Sequence, residues 1–319
     1  MTDKPFIVVL SGPTAAGKTE VALQLAEDFG LEIVNADSLQ VYRLLDIGTA
    51  KPSLEERMRV PHHLIDIVDP DEHFDAGIYR EKADEVIAHL WNRGIVPLVV
   101  GGTGLYIRTL TRGICRTSEE DDAQKARKEA IRQDLRTRLQ EEGLSRLYGE
   151  LQRVDPALAA VLHPSDSQRI LRGLEVFYLT GTPLSQFQKL HRFAEERYRS
   201  VKIFLFRDKA ELSNRINMRV LEMIDKGLCE EVKRILGMGY SPQLKPLQSI
   251  GYRQIIAHLE GRMSLDEAIS DIQKETRLYA KRQFTWFRKE PGFIWIPAHE
   301  KDRIWRIVEE AYNSLSVKT

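Results

Sequence analysis

The stretch GPTAAGKT, Gly12–Thr19, follows the apolar run FIVVL at Phe6–Leu10 and fills every fixed position of the phosphate-binding pattern G-x-x-x-x-G-K-[ST]. In such a loop consecutive backbone N–H groups form a concave nest for anionic oxygens, and the helix after it points its positive end at the same place. Gly12, Pro13, Thr14, Ala15, Ala16 and Gly17 shape the nest, Lys18 adds a charge, and Thr19 offers a hydroxyl to Mg²⁺. This physics specifies an anionic oligophosphate and no particular nucleotide.

Working outward, a strand over 6–11 enters the loop and a helix over 18–28, closed by Gly30, leaves it. A second apolar strand, EIVNAD, ends at Asp37. A helix over 76–93, the strand IVPLVV and the turn GGTG come next. Strand, glycine-rich turn, helix and strand is how a parallel P-loop sheet begins, so an α/β fold with a P-loop NTPase-like parallel sheet and helices on both faces is expected. Ligands of such sheets sit beyond the carboxyl ends of the strands, where the P-loop, Asp37 and GGTG all fall.

Near Thr117 the texture becomes a highly charged helix, with Ala130 or Ile131, Leu135 and Leu139 repeating on one side. A strand pattern returns at VKIFLF, 201–206. The core is therefore expected over 1–117 and 198–319, with a mainly helical subdomain inserted at 118–197. From Ala210 onward the chain reads as helices. At 319 residues it is long enough for a core of about 200 residues and a smaller appendage.

Bulk charge names no partner, since 47 basic and 47 acidic residues cancel. Any nucleic acid must be held by local patches. Two cysteines, Cys115 and Cys229, have no metal-ligand spacing and suit a reducing compartment. His62 and His63 are adjacent, so their side chains diverge, and a polar loop after Pro61 is the favoured reading over a metal site. MTDKPFIVVL lacks the regions of a signal peptide and no run approaches bilayer length, so a cytoplasmic protein is expected.

A motor ATPase places an acid at the end of another core strand; here PLVV runs into GGTGLY without one. GGTG, with Thr103, is either a tight turn or a place of close ligand approach. Asp37 either holds a metal-bound water, caps a helix after it, or accepts a proton. Arg215 and Arg219, four apart on one helix, are either a phosphate clamp or a solvated face. Toward the C-terminus, Lys274, Arg277, Lys281 and Arg288 share a helical face, with Arg282 and Lys289 near it. Ile269, Ile272, Tyr279, Trp286 and Phe287 lie opposite. Five basic residues over 276–289 suit a nucleic-acid backbone, though dimer contact or solvation would also accommodate them.

The combination GPTAAGKT, NADSLQVYRLLDIGTAKP, VPHHLIDI, VGGTGLY, SDSQRILRGLEVF, RINMRVLEMI, SIGYRQ and AKRQFTWFR, in order from Gly12 to Arg288, resembles the tRNA dimethylallyltransferase (tRNA isopentenyltransferase) family. The resemblance implies transfer of the dimethylallyl group of dimethylallyl diphosphate to N6 of adenosine 37 of tRNA, beside the anticodon, with release of diphosphate. It gives the P-loop the donor's diphosphate, with Lys18 on its oxygens and Thr19 on Mg²⁺. Asp37 becomes the general base, Asp37, Ser38, Leu39, Gln40 and Thr103 meet the adenine, and Arg215 or Arg219 joins the diphosphate clamp. Gln168, Arg169, Ile170, Leu171 and Arg172, then Gln248, Gly251, Tyr252 and Arg253, then Lys281, Arg282 and Arg288, hold the anticodon arm. A monomer with tRNA as its macromolecular partner and Mg²⁺ as its cofactor is expected. Ala16 stands where many relatives have Ser, and the Cys and His zinc finger of some eukaryotic relatives is not seen. A P-loop nucleotide kinase, a silent RNA-binding protein and a free-adenylate isopentenyltransferase are the competing readings.

Overall fold

A computed structural model describes residues 4–113, 122–191 and 196–316. Cys115 and the expected boundary at 117/118 lie outside the described residues. The chain divides into two compact units, residues 1–111 with 197–319, and residues 112–196.

In the first unit β1 (Phe6–Ser11) leads into α1 (Lys18–Phe29), β2 (Glu32–Asn35), α2 (Leu54–Arg59), β3 (His62–His63), α3 (Ala76–Asn92), β4 (Pro97–Gly101) and α4 (Gly104–Arg112). The second unit holds α5 (Asp122–Glu141), α6 (Leu144–Val154), α7 (Pro156–Ala159), α8 (Ser167–Thr180) and α9 (Leu184–His191). The first unit resumes with β5 (Arg199–Phe206), α10 (Lys209–Asp225), α11 (Leu228–Gly237), α12 (Tyr252–Leu259), α13 (Leu265–Phe287), β6 (Phe293–Pro297) and α14 (Lys301–Ser316).

The sheet runs β3-β2-β4-β1-β5-β6 and every pairing is parallel. Central strands of a parallel sheet are covered on both faces, which is why β1 is buried at every position. Side chains alternate across it. Phe6, Val8 and Leu10, with Ile203 and Leu205, face Val21, Leu25, Ile304 and Val308 of α1 and α14. Phe204 points the other way, to Phe284 and Phe287 of α13 at ring distances of 5.6 and 4.9 Å.

Three local expectations need correction. EIVNAD stops being a strand at Asn35, because the Asn35 side chain accepts the Asp37 N–H (3.1 Å) and turns the chain. The pair His62–His63 is a short edge strand rather than a loop, paired with Ile33 and Val34. The C-terminal region is not all helix: FIWIP adds β6 beside β5, five residues too short to carry a clear period.

The second unit has its own core of Leu135, Leu147, Leu151, Leu158, Ile170 and Leu174. Ile131, not Ala130, continues the stripe of α5, packed beside Leu139.

Candidate active site

β1 and β4 are neighbours, so the two loops that leave their carboxyl ends, the P-loop and GGTG, emerge side by side. Ser11 Oγ ties the strand ends together by donating to the Gly101 carbonyl at 2.8 Å. Gly17 takes a φ of 99° to open α1, a left-handed conformation that suits glycine. Ala15, at φ 63°, adopts it despite its Cβ.

Cations from α10 and the end of β5 hold the outer side of the loop. Arg207 Nε donates to Ala16 O (2.8 Å), Arg215 Nε to Ala15 O (3.0 Å), and Arg219 Nη1 to Thr14 Oγ1 (3.4 Å). The spacing of four that left Arg215 and Arg219 open between clamp and solvated face thus aims both at the P-loop. Arg219 is half-buried and Arg215 exposed. Lys18 Nζ donates to Gly12 O and Pro13 O, both at 2.9 Å. Burial, then the like charge of Arg219, pulls the Lys18 ammonium down to about 8, and the Asp37 carboxylate opposes the shift. Burial also lowers the Arg219 guanidinium, with Asp37 again opposing.

Behind the loop stands Gln283 of α13, only 5% exposed. Its Oε1 accepts the Thr14 N–H at 2.9 Å and its Nε2 donates to Gly102 O at 3.0 Å, so one side chain joins the P-loop to GGTG. A Cβ on Gly102 would lie 2.3 Å from that Nε2, so any larger residue there would push the bridging amide aside.

Asp37 lies two residues past β2, and its Oδ1 accepts the Leu39 N–H at 2.9 Å in a local turn. No helix starts there, so the capping alternative reduces to this turn. Thr103 Oγ1 accepts the Ser38 N–H (3.1 Å) and donates to Ser38 Oγ (3.3 Å), linking the Asp37 turn to GGTG. Gln40 Nε2 donates to the carbonyls of Thr49 and Ala50, each at 3.2 Å.

Two cavities meet at these residues. One, of about 1020 Å³, is walled by the P-loop, α2 and α10; the other, of about 550 Å³, by Ser38, Leu39, Tyr42, Phe74, Tyr106 and the segment 245–253. Thr14, Asp37, Arg219 and Tyr279 line both. Burial raises the Tyr279 phenol, and the Asp37 carboxylate adds to the shift, so it stays neutral at ordinary pH. Thr19 is exposed on the wall of the first cavity. A lone hydroxyl there fits a hard cation that takes most of its oxygens from water and phosphate. Among the described residues no cluster of His, Cys, Asp or Glu could hold a metal ion by itself. His63 Nε2 instead meets Glu32 Oε2 at 2.7 Å.

The residues expected to meet RNA divide. Lys281, Arg282 and Arg288 are exposed, with Arg282 stacked 5.8 Å from the Tyr279 ring centre; Arg277 leaves the stripe to donate to Asn217 Oδ1 at 2.5 Å. Arg253 lines the second cavity together with Gly251. Exposed Gln248 donates to Pro242 O at 2.7 Å, whereas Tyr252 is wholly buried with its hydroxyl on Glu231. In the second unit Gln168 and Arg169 are exposed at the start of α8, and Arg172 pairs with Glu175 at 2.5 Å. Ile170 is a fully buried residue of that unit's core and Leu171 packs against the same core. A contiguous run of contacts is impossible on one helix, because successive residues point 100° apart, so Ile170 and Tyr252 serve packing. Nothing in the sequence marks Arg207 or Glu231, and Gln283, inside the Lys281–Arg288 segment expected on RNA, instead bridges the P-loop and GGTG. The one signal for Gln283 is a neutral polar residue, with Thr276, on the otherwise apolar side of α13.

Two family models match the chain: IPP transferase over residues 40–290 and Isopentenyl transferase over residues 5–67. A tRNA dimethylallyltransferase of Syntrophobacter fumaroxidans is 53% identical over 95% of this chain and 87% of its own length. One from Geobacter metallireducens is also 53% identical, over 92% of this chain and 93% of its own. Among solved structures, the full-length tRNA isopentenylpyrophosphate transferase of Bacillus halodurans superposes with a TM-score of 0.70 at 34% identity, covering 99% of this chain and 98% of that one. A eukaryotic dimethylallyltransferase solved acting on tRNA gives 0.76 at 28% identity, covering 92% of this chain and 74% of the other.

Proposed function

Because the chain belongs to the IPP transferase family of tRNA dimethylallyltransferases and transfers a dimethylallyl group to tRNA, we propose that its donor is dimethylallyl diphosphate and its acceptor N6 of adenosine 37. The observation that carries this reading is the shared wall: Asp37 and Arg219 border both the cavity that contains the P-loop and the more apolar one beside it. Donor diphosphate in the first and adenine in the second would bring the reacting carbon and nitrogen together at Asp37.

The allylic C–O bond breaks, its electron pair leaves with the diphosphate, and N6 bonds to the carbon. Negative charge grows on the departing oxygens, where Lys18, Arg219 and the P-loop N–H groups lower the barrier. The amine is neutral and becomes acidic only as the C–N bond forms; Asp37 then takes its proton. Thr19 would hold Mg²⁺, which would supply further charge neutralisation at the diphosphate. Tyr279, neutral and beside Asp37, offers a ring face to the adenine. The adenosine must leave the anticodon stack at a cost of a few kcal/mol, which contacts of Arg253, Lys281, Arg282 and Arg169 with the RNA would offset.

The test supplies Mg²⁺, labelled dimethylallyl diphosphate and tRNA with adenosines at positions 36 to 38, against free AMP and ATP. Label is expected on the tRNA nucleoside. Label on AMP alone, or phosphoryl transfer from ATP without prenylation, would overturn the reading.

A further inference from the structure

Glu231 of α11 is 2% exposed, and its carboxylate accepts three successive backbone N–H groups: Asp46 at 3.1 Å, Ile47 at 2.7 Å and Gly48 at 3.2 Å. The Tyr252 hydroxyl donates to the same carboxylate at 2.6 Å. Gly48 is confined by the same group, since a Cβ there would lie 2.5 Å from the Tyr252 ring. The next two carbonyls, of Thr49 and Ala50, accept from Gln40, so the loop reaches back to the turn that begins at Asp37.

This loop stands between the two cavities. Asp46, Ile47 and Ala50 line the first, Gly48 lines the second, and Thr49 lines both. Its backbone is left-handed at Leu44 (φ 70°) and Ala50 (φ 46°), a conformation that residues with a Cβ hold only when their surroundings enforce it. A buried carboxylate is costly unless its acceptor sites are filled. These four donors come from the loop and from α12, none from α11, so the cost is offset only while the loop keeps this shape.

We propose that Glu231, with Tyr252, is a positioning latch that fixes the wall over 46–50 and thereby aligns the donor and acceptor cavities for transfer. The inference rests on the reading that those cavities hold donor and acceptor. Neither residue touches the reacting atoms; the latch acts on geometry, to which transfer rates are steeply sensitive. The P-loop, held by Gln283 and the α10 arginines, does not depend on it.

Glu231→Gln places an amide NH₂ among the loop's N–H donors, and Gly48→Ala presses the loop off Tyr252. For each variant and the double variant, three quantities are measured: thermal melting, the Kd of dimethylallyl diphosphate, and the single-turnover rate to tRNA at saturating substrates. Donor Kd is expected to stay within about twofold, while the single-turnover rate falls about tenfold, a barrier change of about 1.4 kcal/mol. Two lesions of one latch are not additive, so the double variant should be no slower than the slower single. A wild-type rate in Glu231→Gln, additive losses, or a rate that falls only in step with donor affinity and melting temperature would overturn the inference. If Glu231→Gln does not fold, Tyr252→Phe keeps the ring and loses one donor; a severalfold slower transfer is expected and a wild-type rate refutes the latch. Failure of the unaltered protein to modify tRNA would instead strike the underlying reading.

Discussion

Replacing Gln283 with leucine keeps most of the side-chain volume but removes both polar atoms. The Thr14 N–H, now at 2.9 Å from Oε1, and the Gly102 carbonyl, now at 3.0 Å from Nε2, would each lose a partner. A buried group left unmatched costs about 1–3 kcal/mol, which bounds the loss at about 2–6 kcal/mol. Thr14 borders both cavities, where water can reach it, so the lower half of that range, about 2–4 kcal/mol, is expected. Urea titration of the purified variant measures that loss. Because the lost bonds also set the P-loop against GGTG, the Kd for dimethylallyl diphosphate should rise about tenfold, which corresponds to about 1.4 kcal/mol. A Gln283→Leu protein that unfolds at the wild-type midpoint and binds donor with wild-type affinity would refute the bridging role.

Lys18, drawn down to about 8, is mostly charged at neutral pH and loses its proton as pH rises through that value. Donor Kd should therefore worsen from pH 7 to 9, and Lys18→Arg, which stays charged, should flatten the slope; a flat wild-type profile would count against the assignment. Arg219, half-buried on Thr14, should matter more than exposed Arg215. Single-turnover transfer is expected to fall by about 10²-fold in Arg219→Ala and less in Arg215→Ala, and equal losses would contradict the burial argument. Replacing Lys281 and Arg282 with alanine should weaken tRNA binding and make its salt dependence shallower by about one to two ions, read from log Kd against log salt.

Much of the site was legible because its parts are local. GPTAAGKT after an apolar strand specifies both the first βα unit and its anion nest, and Asp37 and Thr103 stand where the next apolar runs end. The remainder is made by packing over long sequence distances. Gln283 meets Thr14 across 269 residues, and Glu231 meets Asp46 across 185, as ordinary polar residues on helices with no local pattern to mark them. The sequence leaves Arg215 and Arg219 open for a related reason: a helical period says that two cations share a face, not what that face meets. The same limit explains Ile170 and Tyr252, which belong to segments similar to RNA-binding blocks yet point inward. β6 is not legible in the sequence because only its pairing with β5 turns FIWIP into a strand.

The central claim, that Asp37 removes the proton at a junction whose diphosphate side is held independently, is tested most directly by Asp37→Asn. Donor Kd and single-turnover transfer to tRNA are measured on the same preparation. The carboxamide keeps an oxygen for the Leu39 N–H and so preserves the turn. Donor Kd is expected to remain near wild type while transfer falls by about 10²- to 10⁴-fold, the usual worth of a general base. Transfer at the wild-type rate would contradict it, leaving Asp37 a residue of the turn alone.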